Sequence, residues 1–186
     1  MDKRPRFRIN TSKVAQPPKK YPYYRKLSAA QKRIYDKSDS VPGLDLPQAD
    51  RFRSCMSDLK RALEKEDKRT AQSAAQRMVS GLCEVFGVER AAIKVLAKRP
   101  SKDWGELHGL YEREEGVTDQ ITVWMRTAER KQVVAFKTFL RTIIHEFMHH
   151  LDYVLLELED SFHTEGFFKR ESSIVRQLMN NVKSEV

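Results

Sequence analysis

The sequence predicts an α+β protein: a small three-stranded sheet packed on one long buried helix, with two helices before the sheet and one after. Three observations predict it. Residues 48–65 and 68–86 carry apolar side chains at three- and four-residue spacing, the period of an amphipathic helix. Residues 91–127 shorten that period into strand-like runs. Residues 130–158 return to the helical period with no Gly or Pro to interrupt it.

Phe52, Met56, Leu59 and Leu63 make the apolar face of the first helix. Ala71, Ala75, Met78, Val79, Leu82 and Phe86 make that of the second, and Gly87 can end it. Strands are expected at 92–97, at 106–112 (bent by Gly105 and Gly109) and at 120–126, with Gly116 and Asp119 turning into the last. Three strands leave an open edge, and an open edge can accept an extended peptide. The segment 130–158 carries Val133, Phe136, Leu140, Ile143, Phe147, Leu151, Val154 and Leu158 in one stripe, so this helix must lie across the sheet in the core. A final helix is expected around Ile174, Val175, Leu178, Met179 and Val182.

The chain of 186 residues has 35 Lys and Arg against 26 Asp and Glu, and the excess is local. Residues 1–38 hold twelve basic residues against Asp2 and Asp36, whereas the rest is nearly balanced. Six of the seven prolines fall at or before Pro47. The sequence thus divides into a basic, Pro-containing arm over 1–47 and a domain over 48–186. Cations interleaved with Phe7, Tyr21, Tyr23, Tyr24 and Tyr35 suit contact between residues 1–38 and nucleic acid. The alternatives are a solvated arm, or tyrosines packed back on the domain. Ser28 is placed to cap a short helix within the arm. No run approaches the ~20 apolar residues of a membrane span, and no signal peptide is evident. Cys55 and Cys83 are read as buried free thiols, so a cytoplasmic monomer with no membrane partner is expected.

The chemistry is concentrated in the apolar helix, which carries His145, Glu146, His149, His150 and Asp152. Burying so many ionisable groups is costly without partners. His145 and His149 stand one turn apart on one helix wall, so both imidazoles can reach one ion, and zinc takes such ligands. Glu146 borders the same face, within reach of a water on that ion, as a general base requires. A catalytic zinc needs a third protein ligand. His163, beyond the expected helix end near 159–161, is the favoured candidate, and Glu171 on the last helix is the rival. Asp152 is either a hydrogen-bond acceptor for a ligand imidazole or a partner for a distant cation. His150 is read as a supporting or surface residue and His108 as structural. Tyr111 and Tyr153 are weaker candidates for stabilising an oxyanion.

His145-Glu146-x-x-His149 followed by His163-Thr164-Glu165-Gly166-Phe167 resembles the SprT-like zinc metallopeptidases, over about residues 50–183. The resemblance implies a compact zincin core and hydrolysis of peptide bonds in a protein or peptide substrate. His145, His149 and His163 would be the zinc ligands and Glu146 the catalytic acid/base. No Cys-rich zinc module follows, and the basic arm has no counterpart in the family pattern. Strand 120–126 is expected to align the substrate through its backbone. Two alternatives stand beside this one. The protein can be a non-catalytic, zinc-containing nucleic-acid-associated factor. It can also be a peptidase held latent by its N-terminal segment, with Asp39 or Asp45 on the metal.

Overall fold

The computed structural model describes residues 18–102 and 105–180. Phe7, the basic residues at 3–13 and Val182 lie outside them. Among the described residues there are five α-helices and a small mixed sheet, the α+β arrangement the sequence predicts.

Helix α1 (Ala29–Asp39) begins at Ser28, whose hydroxyl accepts from the Gln31 amide while the Gln31 side chain accepts from the Ser28 amide, a reciprocal cap. Residues 49–52 form a 3-10 turn leading into α2 (Arg53–Glu64). Asp67 caps α3 (Lys68–Phe86) by accepting from the Thr70 amide, and Gly87 closes it at φ 61°, a left-handed conformation that costs glycine little. Then come β1 (Ala92–Lys98), the two-residue strands β2 (Ser101–Lys102) and β3 (Gly105–Glu106), β4 (Gly109–Glu112) and β5 (Gln120–Arg126). Helix α4 (Phe136–Val154) and helix α5 (Glu165–Asn180) complete the fold.

The sheet order is β1-β5-β4, parallel between β1 and β5 and antiparallel between β5 and β4. The most β-prone segment, β5, is therefore central, with Ile121, Thr122, Val123, Trp124 and Met125 all buried. Its position corrects the expectation that residues 120–126 align a substrate, because both backbone edges of β5 are already paired. The two outer strands are not equivalent. On β1, Gln72 of α3 accepts from the Val95 amide and donates to the Ile93 carbonyl, both at 2.7 Å. Gln76, one turn on, does the same for the Ile93 amide at 3.0 Å and the Ala91 carbonyl at 3.3 Å. A glutamine amide has the donor–acceptor pair of a peptide group, so two side chains cap the free edge of β1. Among the described residues β4 has no partner on its outer side.

Strand β4 is shorter than the expected 106–112, because residues 105–106 pair with 101–102 instead. Helix α4 is shorter than the expected 130–158. Val133 bridges back to Arg126 and the Val134 amide donates to the Met125 carbonyl, so the chain returns along β5 before the helix starts. After Val154 the amide of Leu158 donates to the Asp152 carbonyl and Glu157 adopts φ 51°, turning the chain toward residues 160–164.

The change in composition at residue 48 does not mark a break in packing. Tyr35, Leu44 and Leu46 are buried, and Leu44 and Leu46 join the main core. Ser38 meets Thr164 through their hydroxyls at 3.1 Å, and Asp39 accepts the Gly166 amide at 2.8 Å. Arg170, fully buried, donates to the carbonyls of Ser38 at 2.6 Å and Val41 at 2.8 Å. A Cβ on Gly166 would stand 2.6 Å from the Ser38 carbonyl oxygen, so only glycine lets α1 and α5 approach this closely. From residue 19 to 47 the supposed arm is part of the domain. The tyrosines of this stretch pack on Tyr35 and on one another, the alternative the sequence left open.

Candidate metal centre

Successive turns of α4 carry His145 and His149, and the turn after that helix returns His163 to them. His145 Nε2 lies 3.0 Å from His163 Nε2, which lies 3.1 Å from His149 Nε2. One nitrogen from each ring falls within 4.8 Å of the others, close enough for the three to hold one metal ion. Tetrahedral nitrogens at ~2.0–2.1 Å from a shared zinc would stand ~3.3 Å apart. The two shorter separations are compatible with one shared metal ion.

The outer nitrogens of His145 and His149 are already committed. His145 Nδ1 is 2.9 Å from Glu171 Oε2, and Glu171 also meets Arg141 at 3.2 Å. His149 Nδ1 is 2.7 Å from Ser161 Oγ, whose hydroxyl donates to Asp152 at 2.8 Å. Asp152 in turn accepts from Arg170 at 2.6 Å, in a pair that is almost wholly buried. Protons placed on both Nδ1 atoms leave both Nε2 lone pairs pointing inward. Burial first, then the neighbouring His163 and His145, holds His149 down to about 3, and burial likewise lowers His163. With those two tautomers, the Nε2 atoms of His145 and His149 both face His163 Nε2 as acceptors.

Phe167 builds the floor. Its buried ring lies 5.1, 4.8 and 5.2 Å from the rings of His145, His149 and His163. A residue four after His163 on a helix starting at Glu165 turns inward under all three imidazoles. The carbonyl of His163 accepts from Tyr23 Oη at 2.9 Å, so the N-terminal segment also steadies this residue.

Glu146 is 6% exposed, and that burial pushes its carboxyl up to about 7; nearby His145 opposes the rise and Glu171 adds to it. The carboxylate rests against Gly109 of β4. A Cβ there would lie 2.3 Å from Glu146 Oε1 and 2.7 Å from its Cγ. Gly109 was read as a bend in a strand; its physical role is the space it leaves, a usual meaning of glycine within a strand.

The remaining candidates separate cleanly. Glu171 contacts the far nitrogen of His145 rather than joining the three Nε2 atoms. Asp152 reaches His149 through Ser161. His150 is fully buried, with Nδ1 3.0 Å from Asp119 and Nε2 2.9 Å from the Glu89 carbonyl. Tyr111 donates to the same Asp119 at 2.6 Å, so its hydroxyl is spent within the fold. Tyr153 lines the cleft, and so does exposed His108, which corrects its reading as a structural residue. Asp39 is engaged with Gly166 and with Lys20 at 3.0 Å, and neither it nor exposed Asp45 lines the cleft. Sequence reasoning missed Ser161, Arg170, Tyr23 and Ser38. They carry no periodic signal, and only folding sets them around the centre.

The cleft encloses about 690 Å³ between residues 107–111, α4, and Phe168 and Glu171 of α5. It therefore runs beside β4, the strand whose outer edge is open. Among the described residues, no helix is long and apolar enough to cross a membrane. The chain matches no protein-family model, no curated protein and no solved structure.

Proposed function

We propose that the protein is a zinc-dependent endopeptidase, on the pattern of the SprT-like metallopeptidases it resembles. One observation carries this proposal. Three imidazole nitrogens converge beside a buried carboxylate, in a cleft bordered by the open edge of β4. The all-nitrogen, neutral donor set suits zinc, which prefers His nitrogen to the oxygen-rich sites of calcium or magnesium.

His145, His149 and His163 would hold the ion, and Glu171 and Ser161 would fix the tautomers of the first two. Zinc in that position would supply Lewis acidity to the substrate carbonyl and acidify a water beside it. Glu146, held near neutrality by burial, takes a proton from the attacking water and passes it to the departing amine nitrogen. An extended substrate adds to β4 through backbone hydrogen bonds, which places its carbonyl over α4.

The decisive variant is Glu146→Gln, because the amide keeps the shape and loses the base. Parent and variant are both expected to bind one zinc per chain, and the variant to lose at least ~10²-fold in peptide hydrolysis. Parental cleavage rates in a zinc-loaded Glu146→Gln protein would remove the assignment. A zinc content unchanged by His163→Ala would remove the ligand set. Nucleic-acid association is a second proposal, favoured by the exposed cations Arg25, Lys26, Arg33 and Lys37 around α1. It predicts a steep loss of single-stranded DNA binding with added salt.

A further inference from the structure

Resting on peptide hydrolysis in this cleft, we propose that the substrate carries a large apolar or aromatic residue N-terminal to the scissile bond. An acidic residue follows on the C-terminal side. One face of α4 presents Arg141, His145, His149 and Tyr153 to the cleft, each four residues from the next. From the midpoint of the two ligands, Arg141 and Tyr153 each lie ~9 Å along the axis, six residues at ~1.5 Å. An extended chain advances ~3.3 Å per residue. Side chains about two or three residues from the cut therefore meet these flanking groups.

The two ends differ in chemistry. Beyond His145 the wall is Thr138, Thr142 and Arg141. The Arg141 side chain is 53% exposed, with Nε 3.2 Å from Glu171 and Nη2 3.4 Å from Ser172 Oγ. A guanidinium has five N–H donors, so three remain for the cleft. Glu171 engages only the Nε–H of this guanidinium and is shared with His145, so the remaining outer N–H groups stay open to a ligand. A carboxylate is the group that a guanidinium fork fits best. Beyond His149 the wall is aromatic. The rings of Tyr111 and Tyr153 stack at 5.9 Å and 17°, and Arg113 lies 5.3 Å from the Tyr153 ring. With its hydroxyl held by Asp119, Tyr111 offers the cleft a ring.

Polarity follows from β4. Gly109 meets Glu146, while Tyr111 meets His149 and Tyr153, so β4 runs in the same sense as α4. A peptide added antiparallel, the more stable pairing, lays its N-terminal half over the tyrosines and its C-terminal half over Arg141.

Two measurements on the full-length, zinc-loaded protein test this selectivity. In a mixed peptide library read by mass spectrometry, cuts should be enriched about threefold to tenfold for Asp or Glu within three residues after the bond. Phe, Tyr or Leu should be enriched before it. Arg141→Glu should turn the downstream preference to Lys and Arg and leave the upstream one in place. An unchanged downstream preference in Arg141→Glu, or acidic residues enriched upstream, overturns the proposal. In the second measurement, the Glu146→Gln protein is titrated with two fluorescent peptides differing only by Glu or Lys downstream of an aromatic residue. Tighter binding of the Glu peptide supports the subsite even if nothing is cleaved, and equal affinities overturn it. An absence of cleavage by the parent, with selective binding retained, counts against hydrolysis alone.

Discussion

Gly109→Ala inserts one methyl group between β4 and the carboxylate of Glu146. The new Cβ would lie 2.3 Å from Oε1, 2.7 Å from Cγ and 2.8 Å from Cδ. Non-bonded contacts of carbon settle near ~3.5 Å, so the carboxylate must retreat by about 1 Å. The three atoms nearest the new methyl group all belong to Glu146, so the clash falls first on that side chain. A misplacement of ~1 Å in catalytic geometry costs on the order of 10²-fold in rate, equivalent to about 2.7 kcal/mol at ~1.36 kcal/mol per decade. The assay is kcat/KM on a quenched fluorescent peptide, beside zinc content by mass spectrometry and Tm by calorimetry. Zinc stoichiometry should hold at the parental value while kcat/KM falls. Adding Glu146→Asp, which shortens the side chain by one methylene, should recover part of the loss. Parental kcat/KM in a zinc-replete Gly109→Ala protein would refute the reasoning, as would a loss of zinc that accounts for the whole effect.

Ser161→Ala removes the acceptor of His149 Nδ1 and strands one oxygen of Asp152; zinc affinity should fall about 10–100-fold in chelator competition. Arg170→Met leaves Asp152 buried without its cation, so chemical denaturation should show a loss of about 3–5 kcal/mol, and Asp152→Leu in the same chain should restore much of it. Replacing Gln72 and Gln76 together with Ala uncovers the backbone of β1, and light scattering should then detect concentration-dependent self-association absent from the parent.

Much of this architecture is legible in the residues alone. Helices over 68–86 and strand 120–126 follow from periodicity and local caps, whose physics acts within a few residues. His145, Glu146 and His149 are legible for the same reason: one turn of helix fixes their mutual placement before any tertiary contact forms. His163 is legible only as a candidate, because fourteen residues and a turn separate it from His149. Composition misled at the N-terminus. Charge and proline describe how the surface of residues 19–47 meets water, not what Tyr35, Ser38 or Leu44 do on the inner side.

What the sequence by itself determined is the pair of histidines with their glutamate, and the helix that aims them. Tertiary structure decided that β5 is central and β4 open, since strand order depends on pairings far apart in the chain. It decided that Glu171 and Ser161 each contact the outer nitrogen of a histidine rather than join the three converging nitrogens. It also decided that Gly109 makes room for the Glu146 carboxylate. Each of these outcomes is a distance between segments, and local propensity carries no information about such distances.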